Sequence, residues 1–289
     1  MRFIKMHGLG NDFVVIDLFR ERTADPAALA PVMCHRNLGV GADGLILVQP
    51  STTADRKMRI FNADGSDGEM CVNGIRCFVK FCYDRGIVTN TSGPDAGRMV
   101  VETGPGPMPC VATFDAAGRV DRVRVTAAIP DIDPAASGVR AEQPAPVLDL
   151  PVTVRDAQGE SEQRVALVSM GNPHAIQFIE IAPEEYPLHR IGPLMERHPM
   201  FQHRTNYEVT RVLDRTHMEM RVWERGVGET MACGSGACAV MVAAHVQGLV
   251  DDAVDVRLPG GTLRIEWPGN GNVNLTGPAV KVFESEWSE

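Results

Sequence analysis

The chain has 289 residues, 44% of them hydrophobic, and a formal net charge of −9. That length builds one large domain or two modest ones with a real core, while the acidic balance excludes a nucleic-acid binder, which needs clustered Lys and Arg to neutralise phosphates. The longest apolar runs, such as residues 237–244, are too short to cross a bilayer, and the start MRFIKMHGLGND lacks the apolar core of a signal peptide, so the expected location is the cytoplasm.

In chain order, FIKM, DFVVIDL, GLILV and KMRIF are short, rich in β-formers and read as strands. Asp25-Pro26 ahead of AALAPVMCHR predicts a helix with proline in its first turn. From Cys71 to Arg85 apolar residues recur at helical spacing (Ile75, Phe78, Val79, Cys82), and Gly86 supplies a stop. MVVET, CVATF and VDRVRV return to strand character, the last two joined by a hairpin at DAAG. Residues 127–146, AAIPDIDPAASGVRAEQPAP, lose all periodicity and read as a connector. Beyond it VTVRD, RVALVSM, AIQFIEI, NYEVTRV and HMEMRVWE predict strands, residues 234–249 a second long helix, and VDVRL and LRIEW further strands, with two more near the C-terminus. Each half is several strands about one dominant helix. The expected class is α+β with mostly antiparallel pairing, because there are few helices to cross over between parallel strands.

The halves repeat. Met58-Arg59-Ile60-Phe61-Asn62 and Met220-Arg221-Val222-Trp223-Glu224 stand 162 positions apart, as do Cys71-Val72-Asn73-Gly74 and Cys233-Gly234-Ser235-Gly236; Gly10-Asn11 and Gly171-Asn172 stand 161 apart. Ordered matches at nearly one offset predict a tandem pair of similar folds, meeting so that Cys71 and Cys233 form an opposed pair.

Seven cysteines, an odd number in a long chain, argue against a disulfide framework. Zinc sites favour cysteines two to four positions apart, whereas Cys71 and Cys77 are six apart and Cys233 and Cys238 five. A redox pair wants C-x-x-C. Two buried structural thiols are the plain alternative. The functional reading is a two-base isomerase, in which one thiolate takes a proton from a carbon stereocentre and the opposite thiol returns one from the other face. A helix start offers unpaired N–H groups and partial positive charge, which lowers the pKa of a neighbouring cysteine and binds an anion. The N–H groups of Val72, Asn73, Gly234 and Ser235 are then candidates to hold a carboxylate between the thiols. Only four lysines are present, none in a glycine-rich or helix-start motif, so neither pyridoxal phosphate nor any other cofactor is expected, nor a metal.

At this point the sequence resembles the diaminopimelate epimerase family. The resemblance is carried by MHGLGNDFVVID (residues 6–17), GVGADGLILV (39–48), FNADGS–EMC–NGIRC (61–77), GNPHA (171–175), RTN (204–206) and WERGVGETMACGSGACA (223–239), of which the last is the most specific. It implies cofactor-independent interconversion of LL- and meso-2,6-diaminopimelate, serving lysine and peptidoglycan precursors. It also implies two barrel-like domains around central helices: 1–127 with a returning segment 277–289, and 128–276. Carried over, Cys71 and Cys233 match the acid/base cysteines, and Asn11, Asn62, Asn172 and Asn206 the substrate-binding asparagines. Glu224 and Arg225 match a pair contacting the amino and distal carboxylate groups, and Val72-Asn73 and Gly234-Ser235 the helix-start amides. His174 and Glu224 match residues that tune the thiols. The expected partners are a small-molecule substrate and a second copy of the chain in a homodimer. Taken singly, Asn11, Asn62 and His174 also read as turn or loop residues. Val72 departs from the family's glycine; its N–H survives if the position takes ordinary negative φ. A racemase for another amino acid, or a thiol-based binding module on this scaffold, are the competing functions; a substrate without a distal carboxylate has no need of Arg225.

Overall fold

The computed structural model describes residues 1–68, 70–140 and 144–288. Its elements run β1 (Arg2–Gly8), β2 (Asn11–Asp17), α1 (Pro26–Cys34), β3 (Gly44–Gln49), β4 (Arg56–Asn62), β5 (Asp67–Gly68), α2 (Val72–Asp84), β6 (Arg98–Thr103), β7 (Gly106–Phe114) and β8 (Val120–Thr126). There follow β9 (Leu150–Asp156), β10 (Gly159–Ser169), β11 (Pro173–Phe178), α3 (Leu188–Glu196), β12 (Asn206–Asp214), β13 (His217–Glu224), β14 (Gly228–Glu229), α4 (Gly234–Val246), β15 (Ala253–Leu258), β16 (Gly261–Glu266), β17 (Asn274–Pro278) and β18 (Val280–Glu286). The chain divides into two compact units, Met1–Thr126 with Thr276–Glu289, and Ala127–Leu275.

In the first unit β1 pairs antiparallel with β2 and with the returning β18, β2 parallel with β3, and β3 antiparallel with β4; β4 pairs antiparallel with β5 and parallel with β6, and β6–β7–β8 form a meander. The second unit repeats most of this pattern. β10 pairs antiparallel with β11, β11 parallel with β12, β12 antiparallel with β13, β13 antiparallel with β14 and parallel with β15, and β15 antiparallel with β16. The sequence repeat is thus a repeat of connectivity. The parallel pairs were not singled out from the sequence; one crossover helix suffices for each, α1 and α2 in the first unit, α3 and α4 in the second. Helix α3 itself was not predicted. Gly192 and Pro193 interrupt its period, and its apolar residues Leu188, Ile191 and Met195 are recognisable only once buried against the strands.

Each unit's strands pack around its long helix. From Val72 to Tyr83 every residue of α2 but Lys80 is buried, because strands β1 to β4 and β6 to β8 pack against it. Burying side chains such as Ile75, Phe78 and Val79 contributes about 1.5–3 kcal/mol each. Helix α4 is apolar on all sides, as a helix enclosed by strands must be, and its small residues Ala237, Ala239, Ala243 and Ala244 allow β10, β11, β12, β15 and β16 to approach. Among its described residues the predicted connector holds a short 3-10 turn, Pro134–Ser137, and an isolated antiparallel bridge from Asp131 to Ser169; its residues 141–143 lie outside those described. Among the described residues no helix is long and apolar enough to cross a membrane.

Candidate active site

Both candidate cysteines occupy the same structural position. Cys71 is the N-cap of α2, with φ −141° and ψ 117°, and Cys233 is the N-cap of α4, with φ −119° and ψ 114°. An N-cap residue stands beside the first turn, where backbone N–H groups lack intrahelical partners, and at α4 the Cys233 thiol accepts from one of them. Val72 lies inside α2 and is not among the residues with positive φ, so its β-branched side chain is unstrained there and its N–H is retained.

In the first unit, half-buried Cys71 donates its S–H to Asn11 Oδ1 at 3.3 Å, and Asn73 Nδ2 donates to the same oxygen at 3.3 Å. The Asn11 amide is held from behind, since its Nδ2 donates to Asp43 Oδ2 at 2.7 Å. Asp43 also accepts from the Asp12 N–H at 3.0 Å and from Arg36 Nη2 at 2.6 Å. Arg36 reaches Asp12 through two nitrogens, at 3.2 and 3.0 Å, and Lys5 Nζ lies 2.6 Å from Asp12. Burial pushes the Asp12 carboxyl up, but the hydrogen bonds from Arg36 and Lys5 outweigh it and hold the group below the ordinary carboxylate value. The end of β1 comes in close over the first turn of α2: a Cβ on Gly8 would stand 2.9 Å from Arg76 Nη2 and 3.0 Å from the Asn73 carbonyl oxygen. Asn62 lies on β4 opposite Gly44, the residue after Asp43. Its Nδ2 donates to Ser66 Oγ at 2.9 Å, tying down its own exposed turn.

In the second unit Cys233 is buried, and its Sγ accepts from the Gly236 N–H at 3.4 Å and lies 3.5 Å from Ser235 Oγ. The helix start was expected to lower a thiol's pKa. Here it does not prevail. Burial first, then the nearby carboxylates of Glu224 and Glu208, push Cys233 well above the ordinary thiol value, and the Ser235 and Gly236 hydrogen bonds offset only part of this. Burial likewise raises Glu224 above the ordinary carboxylate value, opposed by hydrogen bonds with Thr230 and Cys233. His174 is not a loop residue. It lies fully buried on β11, with Nδ1 2.6 Å from Glu208 Oε1 and Nε2 3.2 Å from Asn172 Oδ1, and Asn172 Nδ2 donates to Ser235 Oγ at 3.4 Å. A continuous chain Glu208–His174–Asn172–Ser235–Cys233 results. Asn206 is a brace: its Nδ2 donates to the Pro173 carbonyl and its Oδ1 accepts from the Arg225 N–H, both at 2.9 Å. The exposed Arg225 guanidinium donates to the His203 carbonyl at 3.2 Å. Gly234 and Ser235 open α4.

The structure therefore gathers Asn11, Cys71, Val72 and Asn73 in one unit, and Asn172, His174, Glu224, Cys233, Gly234 and Ser235 in the other, with Asn206 linked to Arg225. Three participants were missed in the sequence. Asp43 and Arg36 stand in and beside the quoted GVGAD motif, but only the fold brings them to Asn11. Glu208 is a lone acid in the apolar strand NYEVTRV, two positions after Asn206, and its isolation there was the available signal. The other cysteines are core. Burial pushes Cys34 up to about 11 and Cys77 and Cys110 up to about 12. Among the described residues no group of three or more His, Cys, Asp or Glu side chains is placed to hold a metal ion.

Comparison with known proteins adds an independent line. The family model for diaminopimelate epimerase matches residues 3–117 and 166–282. The chain is 46% identical over 294 residues to the diaminopimelate epimerase of Moorella thermoacetica, covering 99% of both chains. It is 44% identical over 287 residues to that of Acetivibrio thermocellus, covering 99% of this chain and 98% of the relative. Among solved structures it is similar to a hydroxyproline epimerase from Agrobacterium vitis, with a TM-score of 0.70 and 16% identity, over 99% of this chain and 91% of that one. At that identity the likeness is one of fold alone.

Proposed function

The chain belongs to the diaminopimelate epimerase family and is an isomerase; from that premise we propose that it interconverts LL- and meso-2,6-diaminopimelate with Cys71 and Cys233 as its two acid/base thiols. One observation carries the assignment: in two units that share most of their strand-pairing pattern, each thiol is the N-cap of the unit's long helix. Inversion at carbon requires a proton to leave one face and another to arrive at the opposite face. A thiolate takes the α-proton, its C–H electron pair passing into the carboxylate, and the other thiol's proton is delivered to the carbon, leaving that sulfur as the new thiolate. The helix-start N–H groups of Val72, Asn73, Gly234 and Ser235 bind the carboxylate as its charge builds. Asn11, Asn62, Asn172 and Asn206 complete the substrate contacts, with Glu224 toward the amino group. Arg225 takes the distal carboxylate, for which a guanidinium offers paired donors. His174 and Glu224 set the thiols' charge environment. No cofactor takes part.

The domains divide the work accordingly, each unit supplying one thiol and one amide set. The setting is the cytoplasm, in keeping with an odd number of cysteines and no disulfide framework, in the supply of lysine and peptidoglycan precursors. The functional form is a homodimer; support comes from β18, where Val280, Val282 and Phe283 stand exposed for a second copy to cover. Incubating purified protein with LL-diaminopimelate, without pyridoxal phosphate, tests the function. Conversion to an equilibrium mixture is expected in the wild type and abolished in both Cys71→Ala and Cys233→Ala. Full activity in either variant overturns the assignment.

A further inference from the structure

We infer that Glu208 is a positioning residue of the second unit: with His174 it forms a buried pair that shares one proton and so fixes both the Asn172 amide and the charge presented to Cys233. The inference rests on the reading of Cys233 as an acid/base thiol. Glu208 and His174 are both 0% exposed, and Glu208 Oε2 has no hydrogen-bond partner among the described residues. Oε1 takes up the whole interaction, 2.6 Å from His174 Nδ1. The carboxyl also presses on the start of α4, where a Cβ on Gly236 would stand 2.8 Å from Oε1 and 3.3 Å from Cys233 Sγ.

Donor and acceptor roles follow along the chain. Asn172 Nδ2 donates to Ser235 Oγ, so its Oδ1 faces His174 Nε2. A carbonyl oxygen only accepts, hence Nε2 carries a hydrogen. An unprotonated Nδ1 facing an ionised carboxylate would set two lone pairs against each other at 2.6 Å, so that gap holds a proton as well. Whether it sits on nitrogen or oxygen, the pair is neutral overall. Loss of it would leave a bare carboxylate beside the first turn of α4 and release the ring that orients Asn172. A buried carboxylate with one unsatisfied oxygen is tolerable as half of such a pair and costly as an isolated anion. The titratable groups facing the pair are Glu224 from β13, Cys233 from the start of α4 and Tyr207 from β12 itself.

Glutamine mimics the proton-sharing state, since its amide donates to Nδ1 while Nε2–H stays on Asn172. Alanine does not. Glu208→Gln should keep kcat within about threefold of wild type at neutral pH, and Glu208→Ala should lose about tenfold or more in kcat with a smaller change in KM. Nitrogen NMR of His174 in the substrate-free protein reads the pair without reference to catalysis: a proton in the Nδ1–Oε1 hydrogen bond and a protonated Nε2 are expected in wild type, the first absent in Glu208→Ala. If His174 shows this signature while Cys233→Ala stays active, the thiol assignment fails and the pair stands. If wild-type His174 has an unprotonated Nδ1 with no proton in that bond, if Glu208→Ala matches wild type, or if Glu208→Gln is as impaired as alanine, the proposed role of Glu208 is wrong.

Discussion

Removing the Asp43 carboxylate isolates what holds Asn11 against Cys71. In Asp43→Ala the amide loses the 2.7 Å acceptor for Nδ2, the Asp12 N–H loses a 3.0 Å acceptor, and Arg36 keeps only Asp12. The Arg36–Asp43 pair is open to solvent, with side chains 58% and 41% exposed, so its loss costs about 0.2–1 kcal/mol. Hydrogen bonds to a carboxylate contribute about 1.5–3 kcal/mol when protected and less at such a half-exposed site. A stability loss of about 1–3 kcal/mol follows from these two ranges. The catalytic effect is separate. Once Nδ2 is released the amide can rotate, and Cys71 and Asn73 lose their shared acceptor. One such neutral hydrogen bond contributes about 0.5–1.5 kcal/mol, which is about two- to tenfold in kcat/KM. The conversion is followed by circular dichroism, because the LL isomer is optically active and the meso isomer is not, and stability by urea unfolding. Asp43→Asn, which keeps an oxygen for the Asp12 N–H, should fall between wild type and alanine. A variant with lowered stability but unchanged kcat/KM would show that Asp43 does not set the orientation of Asn11.

Arg225→Met should weaken diaminopimelate binding by about 1.5–3 kcal/mol, the range for a charged hydrogen bond, as read by calorimetry; equal affinity would place recognition of the distal group elsewhere. Val72→Gly should change kcat/KM by less than about tenfold, or roughly 1.4 kcal/mol, because Val72 opens α2 without a positive φ; a hundredfold gain in the glycine variant would contradict that geometry. Burial raises Cys34, Cys77 and Cys110 from 9.0 to about 11 to 12 in the folded state. The folded protein therefore binds more protons than the unfolded chain from about pH 9 upward, and this stability, complete below pH 9, declines as pH rises toward those values. Urea midpoints should fall between pH 8 and pH 10, and a flat profile would count against buried, protonated thiols.

What the sequence revealed followed from local periodicity and from the repeat. Helix α2 was legible because Ile75, Phe78, Val79 and Cys82 fall on helical spacing, and the paired helix starts because Cys71 and Cys233 share one offset with the strands before them. What it withheld depends on packing. Helix α3 is broken by Pro193 in sequence and stabilised only by what buries it. The charge on Cys233 was expected to follow the helix start, yet burial beside Glu224 and Glu208 reverses the direction. Asp43 meets Asn11 from 32 positions away, through the parallel pairing of β2 with β3, and Glu208 meets His174 from 34 positions away, through that of β11 with β12. Neither meeting is visible in a linear motif.

Label transfer in heavy water bears most directly on the two-thiol account. With LL-diaminopimelate as substrate in D₂O, sampled over the first few per cent of conversion, two bases on opposite faces predict that the meso product carries deuterium at the inverted carbon while the unconverted LL substrate keeps its original hydrogen. Deuterium appearing in recovered LL substrate as fast as in product would mean that one base serves both faces, and would contradict the assignment of separate roles to Cys71 and Cys233.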